Sequence, residues 1–267
     1  MLGKLFKHEF KAQYKMYGAI YLAVLLIGVV AGTLGFISDK FPKNIIAESL
    51  AGFTTVMAIM SVVAMFIMTL VLSIYRYYTN LIKDQGYLMH TLPVPAFNHH
   101  IVKLVLPVLW YAADVIVAFV MIILLTRDLS FDVVKGILSM LEIEADAGRI
   151  LTMLLYMLIG VLSSLSMFYA CLNVGSLSNS NKGLMAFVAY IVFYLVNQVI
   201  SSIGLVVFMA ILVLTDGGGM EAIFASEEPP AGYFNGMMLT AAIISVVCII
   251  LYSLVSHYVL TKKVNLE

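Results

Sequence analysis

The run FTTVMAIMSVVAMFIMTLVLSIY, residues 53–75, decides the fold. It carries no charge, and its only polar groups besides the closing tyrosine are serine and threonine hydroxyls. A helix crosses the hydrocarbon core of a bilayer with about 20 mainly apolar residues. Residues 53–75 meet that length. In lipid every backbone amide must find its partner inside the segment, so the run is a helix. A β-barrel strand would alternate apolar and polar residues, and this run does not.

Five further runs read the same way: Tyr17–Ile37, Ile101–Leu125, Ile150–Val174, Leu184–Leu214 and Gly236–Leu260. The Leu184–Leu214 run exceeds one span, so it tilts, extends past the bilayer, or bends near Ser201, Ser202 and Gly204. Composition agrees with six spans. Of the 267 residues 63% are apolar and 11% charged, against roughly 45–50% and about 25% in soluble domains. The fold class is all-α integral membrane, in a single transmembrane domain, residues 1–267. The first run is too long for the core of a cleaved signal and lacks an A-x-A site behind it, so it reads as a retained helix.

Lys and Arg orient the spans. Lys4, Lys7, Lys11, Lys15, Arg76, Lys83, Lys103, Lys182, Lys262 and Lys263 fall on the side of the termini. Lys40, Lys43, Arg127, Lys135 and Arg149 fall on the other. This bias puts both termini in the cytoplasm. The outer loops collect acids, and Val133, Ile137, Met140 and Leu141 within residues 127–149 recur at helical spacing. Zero net charge argues against a nucleic-acid binder. Cys171 and Cys248 both sit in apolar runs, as packing residues do, and form no disulfide framework.

Residues 1–16 read as an interfacial helix before the first span. Lys4, Lys7, His8, Lys11 and Lys15 share one face, while Leu2, Leu5, Phe6, Phe10 and Met16 spread over the other. Glu9 and Gln13 fall within the apolar arc, which a pure lipid anchor does not require.

Few residues carry chemistry. There is no phosphate loop of the G-x-x-x-x-G-K-[ST] form, no H-E-x-x-H and no G-x-S-x-G. His90, His99 and His100 cluster, but adjacent histidines diverge by about 100° on a helix and lack a partner acid or thiol, so no metal is expected. Asp114 is the one acid deep in a span. Such a carboxylate either lines a substrate or proton path or bonds to a Tyr, Asn or Gln of a neighbouring helix, for instance Asn197 or Gln198. Met57, Met60, Met65 and Met68 share a broad arc of the second span, a flexible surface that suits varied apolar cargo. Gly28 and Gly32 form a G-x-x-x-G pair that permits close helix approach.

The interruption KDQGYLMHTLPVPAFNHHIVK, residues 83–103, lies between the second and third spans. Residues from Arg76 onward continue the second helix, and Gly86 permits a stop. Pro93 and Pro95 forbid continuation, and the third helix restarts behind Pro95. A connector needs only a few residues. The pattern therefore predicts a cytoplasmic loop over residues 76–100 holding a short helix, with Tyr87, Leu88, Met89 and Leu92 displayed on it.

Asp84-x-Gly86-Tyr87-x-x-x-Thr91-Leu92-Pro93-Val94, followed by a helix carrying Lys103, resembles the cytoplasmic loop of ABC-2 type transporter permeases. The opening residues Met1–Lys11 and the turn Asn173–Lys182 are similar to that family as well. Pro95-Ala-Phe-Asn-His-His departs from it, where a Ser or Thr cap and an acid are usual. The resemblance implies a permease subunit of an ABC exporter in a bacterial cytoplasmic membrane. It pairs with a second permease, identical or homologous, and docks a separate ATPase that holds ATP and magnesium. The chain itself holds no cofactor and is no enzyme. Asp84, Gly86, Tyr87, Leu88, Leu92, Pro93 and Val94 take the coupling role by this resemblance, and helices two and five line the path. Met57, Met60, Met68, Asp114, Asn197 and Gln198 are candidate path residues for an amphipathic cargo such as a drug, an antimicrobial peptide or a lipid. Two other functions fit six spans: a non-transporting scaffold or immunity protein, and an ion-coupled carrier.

Overall fold

The computed structural model describes residues 2–41, 44–82, 96–126, 147–178, 181–216 and 233–262. Among them are six helices: α1 Leu2–Lys40, α2 Ile45–Leu81, α3 Ala96–Thr126, α4 Ala147–Gly175, α5 Lys182–Asp216 and α6 Tyr233–Lys262. All six are long and apolar enough to cross a membrane. The chain is a multi-pass helical membrane protein, as its apolar runs require. Large apolar side chains such as Leu26, Ile59, Ile203 and Leu254 are more than half exposed, which suits a surface facing lipid rather than water.

Local chemistry sets several boundaries. Asn44 caps α2, its Oδ1 accepting from the backbone N–H of Ile46 at 3.1 Å and Ala47 at 3.4 Å. Glu48 follows in the first turn, where the helix dipole favours an acid. Helix α3 opens at Ala96, directly behind Pro95, as the proline pattern predicts. Pro107 lies inside α3, where it cannot donate to the Lys103 carbonyl.

The N-terminal residues are helical as expected, but they run into the first span without a break. At about 1.5 Å per residue, a helix of 39 residues is a rod of about 58 Å. No proline interrupts it, and Gly3 and Gly18 have open space around them. Helix α5 is also unbroken through Ser201, Ser202 and Gly204. Gly204 serves packing instead of a bend, because a Cβ there would collide with the Ile244 side chain.

The described chain forms two compact units. Unit 1 comprises residues 1–76 and 101–152. Its core joins Val24, Ala31, Ala58, Met65 and Met121 from α1, α2 and α3. A second cluster joins Tyr17, Leu72, Leu106 and Trp110. The G-x-x-x-G pair has a partner here. A Cβ on Gly28 would strike the Met121 sulfur, and one on Gly32 would stand 2.5 Å from the Leu124 carbonyl oxygen. Unit 2 comprises residues 77–100 and 153–267. Its core includes Met167, Ala170, Ala189 and Tyr252. Cys171 and Cys248 belong to that core as free, buried thiols.

Candidate functional site

The residues bordering the interruption between α2 and α3 are fixed in buried clusters, one in each unit. In unit 1, Arg76 and Lys103 converge on Glu9 of α1. Lys103 Nζ donates to Glu9 Oε1 at 3.0 Å, and Arg76 Nη2 stands 3.5 Å from Glu9 Oε2. The Glu9 and Lys103 side chains are only 4% and 5% exposed. Arg76 also donates to the Ala12 carbonyl at 3.4 Å. One helical turn on, Gln13 Oε1 accepts from Trp110 Nε1 at 2.8 Å. The Trp110 ring is sandwiched between Phe10, 5.1 Å away, and Tyr17, 4.2 Å away, both nearly parallel to it.

This arrangement explains the two misplaced polar residues of α1. Glu9, Gln13 and Tyr17 recur every fourth position and form one buried stripe against α3. Lys4, Lys7, His8, Lys11 and Lys15 remain exposed on the remaining surface. Lipid therefore does not cover the whole apolar arc, because part of it is a protein contact.

In unit 2 the hub is Tyr77, in the last turns of α2. Asn173 Nδ2 donates to the Tyr77 hydroxyl at 2.8 Å, and His100 Nδ1 lies 3.0 Å from it. With its oxygen accepting from Asn173, the Tyr77 hydroxyl is free to donate to His100 Nδ1 in the tautomer that leaves that nitrogen unprotonated. The Tyr77 ring stacks on Tyr169 at 3.9 Å. All four side chains are essentially buried. His99 and His100 point into packing, and among the described residues no group of three His, Cys, Asp or Glu side chains could hold a metal ion. The sequence marked His100 only as part of a histidine cluster. The roles of Tyr77, Tyr169 and Asn173 carried no local signal, since each needs a partner from a distant helix.

Unit 2 also holds a partly open cavity of about 360 Å³ between α4, α5 and α6. Ser163, Ser164, Asn197, Ser201, Thr240 and Ser245 give it uncharged polar groups, and Leu205, Phe208 and Ile244 give it apolar wall. Asn197 Oδ1 accepts from the Cys248 thiol at 3.2 Å. The Ser164 and Thr240 hydroxyls bond back to their own helices, at the Gly160 and Gly236 carbonyls.

The candidate path residues separate by environment. Met57, Met60 and Met68 are 49%, 60% and 44% exposed, whereas Met65 packs in the unit 1 core. Asp114 is fully buried in unit 1. Its polar neighbours within unit 1 are Thr69 and Tyr21. Asn197 lines the cavity, and Gln198 is exposed. The coupling residues Asp84, Gly86, Tyr87, Leu88, Leu92, Pro93 and Val94 lie outside the described residues, as do His90 and the loop helix expected within residues 127–149 up to residue 146.

No family model, curated protein or solved structure matches this chain.

Proposed function

We propose that this chain is the permease subunit of an ABC exporter, with residues 83–95 as the element on which a separate ATPase acts. The observation that carries the reading is the anchoring of both borders of that stretch. Arg76 and Lys103 are tied to α1 through Glu9, and Tyr77 and His100 are tied to α4 through Asn173 and Tyr169. A connector under no load needs no such roots. A segment that is pushed must pass the displacement to its helices, and buried, well-packed borders do that with little slack.

In this reading the termini and residues 83–95 face the cytoplasm of a bacterial cell, and a second permease, identical or related, completes the transporter. ATP binds and reacts on the partner ATPase. The cavity beside α5 supports an uncharged amphipathic cargo. Hydroxyls and one amide would take its polar groups, while Leu205, Phe208 and Ile244 would take its apolar part.

The test is co-purification in mild detergent with candidate ATPase subunits, followed by ATP turnover. The expected outcome is a complex whose turnover responds to cargo. Replacing Tyr87 and Leu88 together by Ala should detach or uncouple the ATPase. A chain that purifies without any ATPase, and exports nothing that depends on ATP, would sink the proposal.

A further inference from the structure

Asp114 poses a problem that its protein neighbours meet only in part. It is fully buried in the middle of α3, and neither carboxylate oxygen has a hydrogen-bond partner. A charged side chain at the centre of a span costs about 2.5–3.5 kcal/mol even by insertion scales, and it is normally paired. Lys103 and Arg76, the cations of unit 1 that are not exposed among its described side chains, are both drawn to Glu9.

Two more buried oxygens in the same unit lack partners, Thr69 Oγ1 on α2 and Tyr17 OH on α1. Thr69 and Tyr21 lie within interacting range of the Asp114 carboxylate, yet neither makes a hydrogen bond of ordinary geometry to it. Tyr21 gives its proton to the Trp110 carbonyl at 3.2 Å, one turn before Asp114, which leaves its oxygen lone pairs available. Ser73, beside Tyr17, donates to the Thr69 carbonyl at 2.6 Å. Tyr111, also near Asp114, completes the titratable groups of the cluster. Three helices thus bring an uncompensated carboxylate and several hydroxyl oxygens together in apolar surroundings.

We propose that Asp114, Thr69, Tyr17 and Tyr21 hold a dehydrated monovalent cation of sodium's class. All the donors are oxygens, which selects a hard ion over zinc or copper. There is one carboxylate, so a single positive charge neutralises the site. A calcium ion would want 6–8 oxygen ligands and would leave net charge in the span. A proton would also neutralise the carboxylate, but it joins only two oxygens, whereas a metal ion coordinates several at once. The site stands independently of the ATPase reading, because it lies within unit 1 and needs no partner.

The single tryptophan provides the readout. Trp110 stacks on Tyr17 and its carbonyl accepts from Tyr21, so occupancy of the site changes its surroundings. The experiment is thermal unfolding of the purified full chain, followed by Trp110 fluorescence. Sodium, potassium and choline chlorides are compared at one ionic strength and one pH, with equilibrium binding of radioactive sodium alongside. The expected result is a saturable rise of several degrees in Tm with sodium, one ion bound per chain, and loss of both in Asp114→Asn. Thr69→Val, which nearly preserves shape, should weaken sodium binding at least about tenfold. It serves as the decisive variant if Asp114→Asn does not fold. Equal stability in the three salts, a response to pH alone, or sodium binding unchanged in Asp114→Asn or Thr69→Val would each overturn the proposal.

Discussion

Replacing Glu9 by Leu is the sharpest test of how α1 is held. Glu9 faces Lys103 at 3.0 Å, and both side chains are at most 5% exposed. The change leaves the Lys103 charge buried without that carboxylate. Breaking a buried pair by removing one partner costs about 3–5 kcal/mol. Arg76 is 20% exposed and 3.5 Å from Glu9, so it turns toward the surface and adds no more than about 1 kcal/mol. Removing both charges has a different result. Glu9→Leu with Lys103→Met exchanges the pair for apolar packing, which is often neutral or stabilising by about 1–4 kcal/mol. The double variant should therefore recover most of the loss, with a coupling of about 3 kcal/mol or less in a double-mutant cycle. The assay is reversible unfolding in mixed micelles with rising SDS, read by Trp110, which stacks in the same contact. Lys11→Leu, on the exposed face, is the control and should stay within about 0.5 kcal/mol of wild type. A Glu9→Leu protein within about 1 kcal/mol of wild type would refute the reasoning, as would a double variant no more stable than the single one.

Other changes probe separate contacts by the same unfolding assay. Gly32→Ala should cost about 1–3 kcal/mol, because its new methyl meets the backbone oxygen of Leu124 at 2.5 Å, and backbone cannot turn aside. Gly18→Ala, in open space on the same helix, should instead add about 0.5–1 kcal/mol. Equal effects at the two glycines would contradict the close approach of α1 and α3. Tyr77→Phe keeps the ring stack but strips the hydrogen bonds to Asn173 and His100, for a loss of about 1–3 kcal/mol. Cys171 and Cys248 should resist a soluble maleimide in the folded protein and react after SDS unfolding, since they are 3% and 1% exposed. Rapid labelling of the native chain would show that the unit 2 core is open.

The six spans were legible because the signal for each is local: about 20 apolar residues leave the backbone no other choice in lipid. The restart of α3 at Ala96 was legible for a similar reason, since proline acts on its immediate neighbours. The contacts that organise each unit were less so. Glu9 and Gln13 could be seen to break the apolar arc of α1, but their partners Lys103 and Trp110 are 94 and 97 residues away. Nothing at positions 9 or 13 names them. The continuity of α1 was hidden for the same reason: a helix that lies in the headgroup layer and one that docks on a neighbour share the same basic stripe. Gly204 read as a candidate bend because glycine weakens helices, yet its missing side chain makes room for Ile244. Asp114 stood out by composition alone, whereas the hydroxyls around it come from three helices and were invisible as a set.

The pairing of Glu9 with Lys103 also imposes an order of events on biosynthesis. The two residues are 94 positions apart, and chains grow at roughly 5–20 residues per second. For about 5–20 s the first span is in place while the partners of Glu9 and Gln13 have not yet been made. During that interval the basic, amphipathic start of α1 has a resting place in the headgroup layer, where water still reaches its polar groups. When α3 enters, the carboxylate and the amide exchange water for Lys103 and Trp110. The exposed lysines are thus suited to the nascent chain, and the buried stripe to the finished one. A substitution at Glu9 would then be felt first as a failure of α1 and α3 to join at the translocon.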